Sequence, residues 1–169
     1  MIVGDDGVGY GAGPPEGTSW RQVFTAEVRG QIPDADWSRV HFVPRLARED
    51  FTALLQVSRV HVYLSYPFVL SWSLLEAMSV GCCIVASDTA PVREAIASGE
   101  HGQLVDFFDV HGLVRQISDL LEDGARRQLL GTQARQRAQE RYDLKTVCLP
   151  AQLAWLDNLV HGTRRLERR

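Results

Sequence analysis

The chain has 169 residues, a net charge of -3 and 45% hydrophobic residues, which suits a single α/β domain with a real core. So small a charge excludes a general polyanion binder, so no nucleic-acid partner is expected. No signal peptide or transmembrane segment is read. Cys82, Cys83 and Cys148 contain no Cys-x-x-Cys pair. That argues against a disulfide framework or a zinc site and favours a reducing, cytoplasmic setting.

Met1–Gly4 reads as the tail of a buried strand. Gly4 to Pro15 is a glycine-dense loop, but its glycines are not spaced as a dinucleotide-binding turn, because two prolines separate them from the next helix. A surface loop and a phosphate cradle both fit. Ser19-Trp20-Arg21-Gln22 forms a capping box. The helix it opens runs to about Arg29 and places Trp20, Val23, Phe24 and Val28 on one core-packing face, with Gly30 as its stop. Asp34-Ala35-Asp36 has a metal-site form, but it precedes a strand, so a turn or capping role is expected. Val40–Val43 is the next strand, and Pro44, Arg45 and Leu46 leave its carboxyl end. Arg45 either approaches a phosphate or is a surface cation. Glu49–Val57 predicts a short helix that buries Phe51, Leu54 and Leu55.

Val60–Ser65 alternates apolar side chains with period two, the mark of a strand. His61 within it reads as packed or half-exposed. Pro67 stops the pairing. Ser71 or Ser73 caps a helix carrying Leu74, Leu75, Ala77 and Met78, and Gly81 ends it. Cys83–Ala86 is a second strand. Strand, helix and strand make a βαβ unit with parallel strands. Ligands bind beyond the carboxyl ends of such strands. The helix N-terminus at Ser71, Trp72 and Ser73 suits a phosphate. Glu76, one turn inside, is placed to accept hydrogen bonds from sugar hydroxyls, or is simply solvated.

Ser87–Pro91 leaves the next strand end, with capping roles expected for Asp88 and Thr89 and Pro91 at the first position of a helix to Ala97. Ser98–Asp106 is a glycine turn with a short strand, and His101 is expected in solvent. Val110–Leu121 is a one-faced helix, broken at Asp123-Gly124. Ala125–Arg141 is Arg- and Gln-rich and expected to be largely exposed. Val147–Val160 is the last helix, and 163–169 a charged, disordered tail.

The stretch Ser71–Asp88, with Leu-Leu-Glu-Ala-Met at 74–78 and Ile-Val-Ala-Ser-Asp at 84–88, resembles the donor-binding segment of family 4 (group 1) retaining glycosyltransferases of the GT-B fold. The resemblance runs from about Ile2 to Leu144. It implies a Rossmann-like parallel sheet flanked by helices over residues 1–162, the C-terminal half of such an enzyme. It also implies a nucleotide-sugar donor as substrate, no metal and no cofactor. The family's two glutamates, eight positions apart, fall on Phe68 and Glu76. Glu76 then holds the ribose, and Phe68 replaces the glutamate that holds the donor sugar. Pro44, Arg45 and Leu46 meet the nucleotide, as do Ser71, Trp72 and Ser73. The family's first strand, with an Arg and a Lys for the donor phosphates, is not found. A fragment or an internal start is therefore expected, with unpaired edges open to self-association and an acceptor domain missing.

Two functions follow. One is the donor-binding part of a transferase that moves a hexose, inactive alone, with no catalytic residue nameable. The other is a non-catalytic interaction domain in which Phe68 and Trp72 mark a site that has lost its donor.

Overall fold

The computed structural model describes residues 1–7, 12–66 and 69–166. Pro67, Phe68 and part of the glycine-dense loop lie outside the described residues. The chain forms two compact units, Met1–Phe51 and Thr52–Arg169, and the division falls inside a helix.

In the first unit, β1 (Ile2–Val3) pairs in parallel with β2 (Phe42–Val43), Ile2 opposite Phe42 and Val3 opposite Val43. Between them lie α1 (Trp20–Arg29) and the short α2 (Asp34–Trp37). The capping box forms: Ser19 Oγ accepts the Gln22 N–H at 3.2 Å, and Gln22 Oε1 accepts the Ser19 N–H at 2.8 Å. The expected core packing of α1 does not. No α1 residue is buried, and Phe24 is 56% exposed. Phe24 and Val28 instead line an open cavity of about 470 Å³ with Ile2, Trp37, Val40 and Phe42. Two strands of two residues each offer that face too little surface to close on. For the same reason Ile2 is exposed rather than buried. Asp34 and Asp36 fall in the first turn of α2, and Asp34 pairs with Arg29.

The helix in which the division falls, α3 (Arg48–Val57), buries only Leu55, and Phe51 and Leu54 are half-buried. Then come β3 (His61–Tyr63), α4 (Trp72–Val80), β4 (Ile84–Ser87), α5 (Ala90–Ala95) and β5 (Gln103–Val105). The sheet order is β3-β4-β5, all parallel, so the expected βαβ unit is present. All four residues of β4 are buried, as a parallel strand covered on both faces must be. Cys83, Val85 and Val105 form the core with Leu120 of α6 (Val110–Glu122) and Leu130 of α7 (Gly124–Tyr142).

Helix α7 is largely exposed, as expected, but not on every face. It buries Leu130, Gly131, Ala134 and Ala138, and it packs against α4. Small residues carry this contact, so a count of large apolar residues misses it. His101 is buried, its Nδ1 accepting the Ala97 N–H at 3.2 Å, so the turn is a packed one. α5 begins one residue before Pro91 and ends at Ala95. After a π-helical turn at Leu144–Cys148, α8 runs from Leu149 to Leu166. The expected tail is therefore helical over its first four residues.

Candidate functional site

The loop after β3 is held at both ends. The Ser65 N–H donates to Ser87 Oγ at 2.7 Å, tying its start to the fully buried end of β4. The Ser71 N–H donates to the Tyr63 hydroxyl at 3.2 Å, tying its end back to β3. Ser71 is the N-cap of α4: its Oγ accepts the Ser73 N–H at 3.2 Å and lies 2.9 Å from Ser73 Oγ. Behind this opening, Leu74, Ala77 and Met78 are completely buried. Gly81 closes α4 at φ 82°, a left-handed conformation that costs glycine little. A rigid helix thus presents its N-terminus at the carboxyl end of the sheet.

Ser71, Trp72, Ser73 and Glu76 are brought together on this helical opening. Trp72 is 85% exposed. Glu76 is half-buried on the fifth residue of α4. Pro44, Arg45 and Leu46 follow β2 in the first unit, the first two exposed and Leu46 half-buried, and are described there alone. Phe68 lies outside the described residues.

The end of β4 differs from expectation. Asp88 is not a cap. Its carboxylate takes two bonds from Arg93, from Nε at 2.6 Å and Nη2 at 2.9 Å. These hold the Asp88 carboxyl below the usual carboxylate range. Thr89 is the N-cap of α5 by position, but its side chain makes no capping bond. Beside this end stands a cluster that sequence reading missed. The rings of Tyr66, Phe107 and Phe108 meet edge to face, with centroids 5.6, 5.9 and 5.1 Å apart. The pair Phe107-Phe108 between two aspartates, directly after β5, was its only signal.

Among the described residues no group of three His, Cys, Asp or Glu side chains stands at metal-binding distance. Cys82 and Cys83 are buried, and burial pushes both thiols up to about 11. They are packing residues rather than nucleophiles. No helix of the described residues is long and apolar enough to cross a membrane.

Parallel strands with a capped helix over their carboxyl ends define an α/β protein of the class that binds ligands at that end of the sheet. Residues 36–137 match the model of the glycosyl transferases group 1 family, and the chain belongs to that family. It is 36% identical over 74 residues to the phosphatidyl-myo-inositol mannosyltransferase of Mycolicibacterium smegmatis, covering 44% of this chain and 19% of that one. It is 29% identical over 134 residues to the glycogen synthase of Mycobacterium tuberculosis, covering 73% of this chain and 32% of that one. The chain thus spans about a third or less of the length of these relatives. Among solved structures it is similar to Anabaena HepE in complex with UDP-glucose, with a TM-score of 0.74, 20% identity, and 92% of this chain and 40% of that one covered. The C-terminal domain of a group 1 glycosyl transferase, LpcC of Francisella tularensis, gives a TM-score of 0.63 at 17% identity, over 75% of this chain and 67% of that one. These likenesses establish the fold: the Rossmann-like C-terminal part of a GT-B glycosyltransferase.

Proposed function

We propose that this chain is the donor-binding part of a retaining glycosyltransferase that transfers a hexose from a nucleoside diphosphate sugar. The observation that carries the reading is the Ser71-capped N-terminus of α4, held over the carboxyl ends of the strands. Its N–H groups and positive dipole end suit the donor diphosphate. They also stabilise the charge that develops on the leaving group as the glycosidic bond breaks, without need of a metal or other cofactor. Glu76, on the same helix, accepts hydrogen bonds from the ribose hydroxyls. Two similar structures were solved with UDP or UDP-glucose, which favours a nucleotide-sugar donor. We assign Phe68, in place of a carboxylate, to the donor-sugar side.

In this reading these residues serve the donor, and acceptor recognition belongs to the part of the relatives that they do not cover. A soluble, cytoplasmic setting fits this role.

A second reading rests on Trp72, 85% exposed at the mouth of the site. Such a residue also suits a protein partner, in an interaction domain that has lost its donor. Titration of the labelled chain with UDP, GDP and ADP separates the two. Saturable NMR shifts at Ser71–Glu76 support the first. No saturable binding up to about millimolar nucleotide favours the second.

A further inference from the structure

We infer that Tyr66, Phe107 and Phe108 form a platform that receives the apolar face of a pyranose ring. This rests on the reading above that the protein handles sugars, and adds to it aromatic residues that follow the carboxyl ends of β3 and β5.

The platform is built from the ends of two strands. Tyr66 follows β3, Phe107 and Phe108 follow β5, and between them ends β4. Two bonds lock these ends together: the Ser65 N–H to Ser87 Oγ at 2.7 Å and the Asp88 N–H to the Val105 carbonyl at 2.8 Å. The rings stand at 69° to 83° to one another, like the walls of a corner. Edge-to-face contact is the favourable geometry for such a cluster. Tyr66 remains 62% and Phe108 72% exposed. A cluster of this kind, held in place yet uncovered, marks a surface built to be covered.

The flanking groups select the occupant. Asp106 and Asp109 bracket the two phenylalanines, and both are exposed. Each is fixed by one oxygen. Asp106 Oδ1 accepts the Phe108 N–H at 2.8 Å, and Asp109 Oδ1 accepts the Gly112 N–H at 2.8 Å. An ionised carboxylate has further accepting capacity. Ring faces rimmed by fixed acceptors match a ligand with an apolar C–H face and an edge of hydroxyl donors, which describes a pyranose. They mismatch an anionic lipid surface, which two carboxylates repel, and a dry protein interface, whose core is depleted in charge.

The test uses the full chain with methyl α-mannopyranoside, maltotriose and anionic phosphatidylglycerol vesicles as probes, followed by the aromatic NMR signals. Saturable shifts of the Tyr66, Phe107 and Phe108 rings with either sugar are expected. Phe108→Ala should weaken them about fivefold and Phe108→Trp retain them. Phe108 is exposed, so both variants fold. Unmoved ring signals up to about 50 mM sugar, shifts indifferent to Phe108→Ala, or ring signals that respond to vesicles alone would overturn the platform. A parallel UDP titration read at Ser71–Glu76 keeps the two ideas apart. UDP binding without sugar shifts sinks only the platform, and sugar shifts without nucleotide binding sink only the nucleotide reading.

Discussion

Gly131 of α7 lies against the backbone carbonyl of Gly81, the residue that closes α4. A Cβ at position 131 would collide with that oxygen, so a glycine there lets the two helices touch backbone to backbone. The contact matters to function because α7 is the wall on which the site helix rests.

Gly131→Ala therefore destabilises the protein. Alanine favours a helix over glycine by about 1 kcal/mol, but overpacking against a backbone oxygen costs about 1–3 kcal/mol. The control is Gly124→Ala on the same helix. There a Cβ meets only Arg127 Nη2, at 3.4 Å, close to an ordinary van der Waals contact. Urea midpoints should fall for the first variant and hold or rise for the second.

Ser71→Ala removes the side-chain acceptor that caps α4. A lost cap costs about 1 kcal/mol, or roughly 3 °C in Tm for a chain of this size. Ser73→Ala should cost less, since Ser73 caps nothing. Calorimetry of the two variants settles which serine holds the helix, a choice the sequence left open between them.

His61 gives the pH dependence a sign. Burial holds its imidazole below the ordinary value of 6.5, and its Nε2 is enclosed with no partner among the described residues. The unfolded chain therefore binds the proton more readily. Stability from this group is complete above about pH 6.5 and is lost as pH falls from there toward the folded-state value. Between about pH 7.5 and pH 5.5, the wild type should lose more stability than His61→Leu in denaturant titrations. Parallel curves would contradict this.

Native alkylation should be confined to Cys148. Cys82 and Cys83 are buried, with thiols pushed up to about 11, and Cys82 Sγ donates to the Leu55 carbonyl at 3.0 Å. Iodoacetamide labelling read by mass spectrometry should add one group to the folded chain and three after unfolding. Rapid labelling of Cys83 in the native state would show the β4 layer to be open.

Much of the second unit was legible because its signals are local. Alternation at Val60–Ser65, a serine before Leu74 and Leu75, and a glycine at 81 each specify one backbone state. The βαβ unit follows from them, and with it the position of Glu76. What failed depended on distant partners. Trp20, Phe24 and Val28 have the spacing of a buried face, but spacing cannot say how much strand lies opposite. The buried side of α7 is written in glycine and alanine, which hydrophobic periodicity undercounts. Asp88 stands where a cap belongs, yet Arg93, five residues on, offers a stronger partner. The aromatic cluster joins residues some forty positions apart, and no local pattern announces it.

The central claim is that the α4 opening binds a nucleoside diphosphate with Glu76 on the ribose. The most direct measurement compares UDP binding by the wild-type chain and by Glu76→Ala, using amide NMR shifts at Ser71–Glu76. Saturable binding in the wild type, weakened about tenfold by the substitution, is the predicted result, as expected for the loss of hydrogen bonds to a charged acceptor. Nucleotide binding of equal strength in both proteins, or shifts that map away from α4, would contradict the account.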